Sequence, residues 1–172
     1  MDADERGRFE RATLPHMDAA YNLARWLTRD PHAAEDVVQD AYLRAARFFA
    51  SFRGGDGLAW LLTVVRRVAY DRLAKGRAVA ATPFDEELHG GDGSPAPDEQ
   101  AVRTADRQLL REALEELPPE FREVTVLREL EGLSYQEIAT VTEVPIGTVM
   151  SRLSRARKQL RQRLVPCAGE EE

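Results

Sequence analysis

A single cysteine, Cys167, stands in a chain of 172 residues. A disulfide needs a second sulfur and a thiolate zinc site needs several, so neither can staple this fold from within. Histidine is nearly as scarce. His16, His32 and His89 are scattered along the chain and form no ligand cluster, so no metal or other cofactor is expected. No apolar run approaches the roughly 18 residues that a membrane-spanning helix needs, and no segment reads as a secretory leader. A cytoplasmic protein is the expectation. Strand-like alternation is missing too. Apolar residues recur every three or four positions almost throughout, which argues for an all-α fold.

Net positive charge is also lacking. The chain carries 24 basic and 30 acidic residues, a net charge of −6. Taken as a whole, that balance opposes binding to nucleic acid. The charge is segregated, however. Residues 51–80 hold six bases and two acids, and residues 134–165 hold the same, while residues 81–100 hold six acids and no base. Local potential, not the net value, decides which surface meets an anion.

The apolar stripes organise the chain. Leu14 to Leu27 predicts a first amphipathic helix. Asp30-Pro31 predicts the start of a second, with an acid at the N-cap and proline at the first helical position. Its buried stripe is Ala34, Val37, Val38, Ala41, Tyr42, Ala45, Phe48 and Phe49. After the loop FRGGDG (52–57), Leu58, Leu61, Leu62, Val65, Val68, Ala69 and Leu73 mark the inner face of a third helix. Glycine and proline then replace the periodic pattern. A flexible acidic linker is expected over 78–100. Beyond it, Leu109, Leu110, Ala113, Leu114 and Leu117 form one stripe, and Phe121, Val124, Leu127 and Leu130 another. The expected architecture is two small helical bundles, 1–77 and 101–165, with an acidic tail at 166–172.

The stretch SYQEIATVTEVPIGTVMSRLSRARKQL (134–160) is the most specific. Ser134 and Glu137 fit a capping box and open a short helix with Ile138 and Ala139 inside. The pattern breaks over Thr142 to Pro145, and a second helix runs from Ile146. On it Ile146, Val149, Leu153, Ala156, Leu160 and Leu164 fall within roughly an 80° sector. Thr148, Ser151, Arg152, Arg155 and Gln159 lie opposite. Two short helices, a tight turn and a polar outward face read as a helix-turn-helix. Arginine can bridge two acceptors of guanine in the major groove, and hydroxyls reach phosphates or base edges. Arg157, Lys158, Arg161 and Arg163 extend the charge and supply salt-dependent affinity for phosphate.

The first bundle carries two further surfaces. Glu35, Asp36, Gln39 and Asp40 face away from the predicted core. An acidic helix face repels phosphate, so it reads as solvent-exposed or as a docking surface for a basic protein. The glycine loop and the helix after it combine Trp60 and Tyr70 with Arg66, Arg67, Arg72, Lys75 and Arg77. Aromatic and cationic side chains together suit unstacked bases, although Trp60, among apolar neighbours, fits a core role as well.

Four segments in order, AEDVVQDAYLRA (34–45), the loop with LAWLLTVVRRVAYDRL (58–73), LPPEFREVTVLRELEGLSYQEIA (117–139) and VPIGTVMSRLSRARKQL (144–160), resemble the extracytoplasmic-function group of bacterial sigma factors. The resemblance covers about residues 10–77 and 105–164. It implies a promoter-specificity subunit of RNA polymerase with no catalysis of its own. By its pattern, Asp36, Gln39 and Asp40 would dock on the largest polymerase subunit. Arg53, Gly54, Gly55, Asp56, Trp60, Arg66, Arg67, Tyr70 and Arg72 would open and hold the minus-ten element as a single strand. Thr148, Ser151, Arg152, Arg155 and Lys158 would read the minus-thirty-five element as duplex, while another surface of the second bundle meets the second-largest subunit. The resemblance also implies an anti-sigma partner, and a linker whose Asp85, Glu86, Glu87, Asp92, Asp98 and Glu99 imitate RNA in the polymerase channel. Two positions depart from the pattern: Met150 stands where members often carry a base, and Arg67 where many carry asparagine.

Two other readings compete. A dimeric helix-turn-helix regulator with an N-terminal sensing bundle leaves the loop and the acidic face unexplained. A small hydrolase or nuclease using the carboxylates near position 36 lacks a second ligand cluster.

Overall fold

In the computed structural model, residues 1–79 and 98–165 are described, the side chains of 77–79 and 98–103 excepted. The expected linker acids Asp85, Glu86, Glu87 and Asp92, together with His89, Cys167 and the acidic tail, lie outside the described residues. Among the described residues there is no strand.

Asp2 begins the first helix by accepting the Glu5 backbone N–H at 2.8 Å. Helix α1 spans Ala3–Thr13. The sequence reading places no helix here, because ADERGRFERAT is mostly charged and only Phe9 and Thr13 turn toward the core. Pro15 then sets a single 3-10 turn, Leu14–His16. The expected helix from Leu14 therefore starts three residues later, as α2, Met17–Thr28, and Leu14 itself is exposed. Asp30 accepts the His32 N–H at 2.9 Å and Pro31 opens α3, Pro31–Phe48, as the cap chemistry predicts. Asp56 repeats the device at 2.9 Å on Leu58 to start α4, Gly57–Val79.

Helices α2, α3 and α4 pack pairwise around Leu23, Leu27, Val37, Leu61, Leu62, Val65 and Val68. Much of the stripe on α3 is alanine (Ala34, Ala41, Ala45), wholly buried, which lets the neighbouring axes approach closely. Phe48 does not join it. The helix ends there and the ring stands 59% exposed, while Phe49 turns in. Tyr42 is half-buried, and its hydroxyl donates to the Thr13 carbonyl at 2.7 Å. Burial pushes its phenol up to about 12.

The second bundle comprises α5, Asp98–Glu116, α6, Pro119–Thr125, α7, Tyr135–Thr142, and α8, Ile146–Leu164. Between α6 and α7 the chain widens into a π-helical turn, Val126–Leu130. Gly132, at φ 69°, closes it in the left-handed region where a side chain is strained. The Leu133 N–H reaches the Leu127 carbonyl at 3.0 Å. Leu109, Leu110 and Leu130, read from the stripes as interior, are exposed.

Buried Arg122 organises this bundle. Its guanidinium donates to the carbonyls of Leu114 (3.1 Å), Glu115 (2.7 Å) and Leu117 (3.0 Å). These carbonyls lie in the last turn of α5 and just past it, where a cation is favoured. Burial lowers its pKa from the ordinary arginine value. A single apolar cluster runs through both bundles, from Leu23 and Leu61 to Leu127, Ile138 and Leu153. Helix α4 lies against α7, and α2 against α6.

Candidate nucleic-acid and protein interfaces

The helix-turn-helix forms as its sequence predicts. Ser134 Oγ accepts the Glu137 N–H at 3.1 Å, and the Glu137 carboxylate accepts the Ser134 N–H at 3.4 Å. Helix α7 ends at Glu143, a left-handed residue with φ 59°. Pro145 precedes the first residue of α8. Val149, Leu153 and Ala156 are buried, while Ile146 and Leu164, at the two ends of the predicted stripe, are exposed.

On the outward face Ser151, Arg155 and Lys158 are exposed, with Thr148 and Arg152 half-buried beside them. Among the described residues no acid pairs with Arg152, Arg155 or Lys158. Two of the flanking cations behave otherwise. Arg157 binds Glu129 at 3.2 Å, and Arg163 is paired with Glu116. They tie α8 into its own bundle, so the free positive charge is narrower than the count of bases implies. Met150 is exposed on this helix and offers a thioether where a cation would bind phosphate.

The candidate residues of the first bundle do not form one patch. Gly54 and Gly55 have φ of 81° and 90°, so the loop needs residues free to adopt the left-handed region. Asp56 is the N-cap of α4 and holds the loop to the helix. Trp60 lies half-buried among rings, 6.0 Å from Phe49 and 5.2 Å from Phe52. An open groove of about 740 Å³ runs beside the loop, lined in part by Arg8, Arg11, Arg53, Phe49 and Phe52. The sequence gives no sign of Arg8 and Arg11, because nothing local shows that α1 and the loop border one groove.

Further along α4, Arg66 and Tyr70 project about 40° apart and Arg72 about 160° from Tyr70. Arg66 stacks 4.5 Å from the centre of the Tyr70 ring. Both bind Glu123 of α6: Arg66 Nε donates to one carboxylate oxygen and the Tyr70 hydroxyl to the other at 2.9 Å. Glu123 is 1% exposed. Burial pushes the Tyr70 phenol up to about 12, and the adjacent Glu123 charge adds to the rise. Burial also opposes the charge on Arg66, but the hydrogen bond and charge of Glu123 outweigh it and the pKa is raised. Arg67, one position on, pairs with Glu143, whose carboxyl is held below its ordinary value by that hydrogen bond.

Arg72 faces α3. It lies 3.9 Å from both Asp36 and Asp40, while Arg44 reaches Asp40 at 3.5 Å and Asp71 at 3.2 Å. The acidic face expected on α3 is thus a mixed network: Asp36 and Gln39 are exposed, Asp40 is half-buried, and guanidiniums stand against both aspartates. Among the described residues, no group of three or more histidines, cysteines or acids is arranged to hold a metal, and no helix is long and apolar enough to cross a membrane.

Comparison with known proteins agrees with this geometry. The family model described as Sigma-70 region 2 matches residues 14–79, and that described as Sigma-70, region 4 matches residues 107–160. The chain is 35% identical over 159 residues to the ECF RNA polymerase sigma factor SigE of Mycolicibacterium smegmatis, covering 90% of this chain and 61% of that one. It is 31% identical to the RNA polymerase sigma-H factor of Pseudomonas aeruginosa, covering 96% and 91%. Among solved structures, the sigma factor RpoE bound to the anti-sigma factor NepR from Bartonella quintana superposes with a TM-score of 0.74 at 30% identity, over 95% of this chain and 99% of that one. The chain belongs to the extracytoplasmic-function group of the sigma-70 family, proteins that direct promoter-specific transcription initiation by RNA polymerase.

Proposed function

We propose that the chain binds core RNA polymerase in the cytoplasm and directs it to promoters carrying two separate elements. In this reading the first bundle, residues 1–77, docks through Asp36, Gln39 and Asp40 on the largest subunit. The contacts of Asp36 and Asp40 with Arg72 are long and partly exposed, and such pairs are worth about 0–1 kcal/mol, so a basic partner exchanges them cheaply. The loop of Arg53, Gly54, Gly55 and Asp56, with Trp60, Arg66, Arg67, Tyr70 and Arg72, holds the opened minus-ten strand. Extruding a base costs a few kcal/mol, and each stacked base returns about 1–3 kcal/mol. The second bundle, residues 101–165, reads the minus-thirty-five duplex with Thr148, Ser151, Arg152, Arg155 and Lys158, while its far side meets the second-largest subunit.

The observation that carries the reading is the outward face of α8: a capped helix-turn-helix whose Arg152, Arg155 and Lys158 have no acidic partner among the described residues. The chain itself does no catalysis in this account. An anti-sigma partner is part of the proposal, since the superposed RpoE structure contains one. A dimeric regulator leaves the glycine loop and the α3 face without a role. The test is to add the purified chain to core polymerase on a pool of promoter-bearing templates and map the transcript starts. Starts sharing two upstream elements are expected. Starts no more frequent or specific than those of core enzyme alone would refute the proposal.

A further inference from the structure

The exposed side of α8 is not wholly polar. Met150 stands 51% exposed, and Ile146, one turn before it, 42% exposed. Neither joins an apolar cluster of the chain. The buried seam of this helix is made without them, by Val149, Leu153 and Ala156. Gly147 lies between the two, with open space where a β-carbon would stand. Together these three residues form an apolar shelf at the N-terminal end of α8. The shelf borders the candidate reading residues: around the helix axis Met150 lies about 40° from Ile146 and about 100° from Ser151. In a helix-turn-helix, this N-terminal part of the second helix is the part that touches base edges.

A cation at position 150 would bind phosphate, and phosphate carries no sequence information. A thioether gains nothing there, since it cannot donate a hydrogen bond to the anion. What the major groove does offer an apolar side chain is the C5-methyl of thymine. Methionine suits such a partner, because its unbranched chain and polarisable sulfur adapt to an irregular surface. Charge brings the two together: Arg152, Arg155 and Lys158 on the same helix have no acidic partner among the described residues and attract duplex to this face. We propose that Met150 is a specificity-determining residue, packing on the methyl group of one thymine in the minus-thirty-five duplex, with Ile146 flanking the contact. The inference rests on the reading of α8 given above and deepens it. A position that could add affinity for any sequence instead sorts one base from another.

The test uses the full chain and the upstream duplex of a promoter that it selects in the transcription assay. Uracil replaces each thymine of that duplex in turn, which removes the methyl group and leaves the hydrogen-bonding edge intact. Fluorescence anisotropy reads the affinity of the parent, of Met150→Ala and of Met150→Arg, and circular dichroism checks that all three are folded. For the parent, one of the replacements should weaken binding about fourfold, the worth of one buried methyl group. Met150→Ala should bind the unmodified duplex more weakly by at least that factor and be indifferent to the same replacement. Met150→Arg should also be indifferent to it, yet bind every duplex more tightly, with a salt slope steeper by about 1. A parent that tolerates every replacement overturns the proposal, and so does a replacement that weakens Met150→Ala as much as the parent. Both results leave duplex binding by α8 and the mapped starts standing. A parent that selects no shared upstream element brings down that reading and this proposal together, so the two failures are told apart.

Discussion

Helices α4 and α8 are both rich in arginine, and only α8 shows a continuous set of free cations. On α4, Arg66 and Arg67 are bound by Glu123 and Glu143, and Arg72 faces Asp36 and Asp40. On α8, Arg152, Arg155 and Lys158 have no acidic partner among the described residues. The difference teaches that a basic stretch measures charge present, not charge available. A free guanidinium can meet a phosphate at once. A bound one must first lose its partner.

The largest effect that separates the two helices is expected from charge reversal. Arg152→Glu with Arg155→Glu should weaken binding of upstream duplex by about 100-fold or more, since each good arginine contact is worth about 1–3 kcal/mol, and should flatten the salt dependence. Arg66→Glu with Arg67→Glu should leave that duplex affinity unchanged. Fluorescence anisotropy across a salt series checks both, and equal losses from the two pairs would erase the distinction. Next in size is Arg122→Met, which strips the donor from the α5 carbonyls. It should cost roughly 2–4 kcal/mol of stability by denaturant unfolding: hydrogen bonds to a charged group are worth about 1.5–3 kcal/mol each, and removing a buried charge offsets part of the loss of three.

A smaller contrast lies at the starts of the same two helices. A β-carbon on Gly57 would run into the Ala12 carbonyl, whereas Gly147 has open space around it. Gly57→Ala should therefore destabilise the chain by about 1–3 kcal/mol, and Gly147→Ala should stabilise it by up to about 1 kcal/mol. Thermal melts of the two variants should move in opposite directions. Least in size is a pH effect that Tyr70 on α4 shares with Tyr42 on α3. Tyr70 is held near 12 in the folded chain against an ordinary value of 10.0. A raised phenol pKa means that its share of stability is present below pH 10 and is lost as pH rises through about 12. Phenolate absorbance should rise late for both residues, and Tyr70→Phe should remove about half of that late component and leave the share of Tyr42.

Local chemistry accounts for what was legible beforehand. The caps at Asp30 and Ser134 act within three residues, so their geometry follows from residue types and spacing alone. The central stripes on α2, α4 and α8 were visible because a buried face repeats every three or four residues. Errors gathered mainly at helix ends. Phe48, Leu130, Ile146 and Leu164 continue the apolar period but lie where a helical segment starts or stops, whereas Leu109 and Leu110 are exposed in the middle of α5; periodicity carries no information about where a neighbour lies. Helix α1 gives no such signal for the converse reason: it is charged on most sides and buries little.

All-helical class, the helix-turn-helix, the two basic blocks and the family could each be read without coordinates, because all four rest on near-neighbour spacing or motif order. The pairing of Glu123 with Arg66 and Tyr70, of Glu143 with Arg67, and of Arg72 with the α3 aspartates could not. Those partners stand tens of residues apart in the chain, and charge pairing depends on distance through space, which only the packing of one bundle against the other sets.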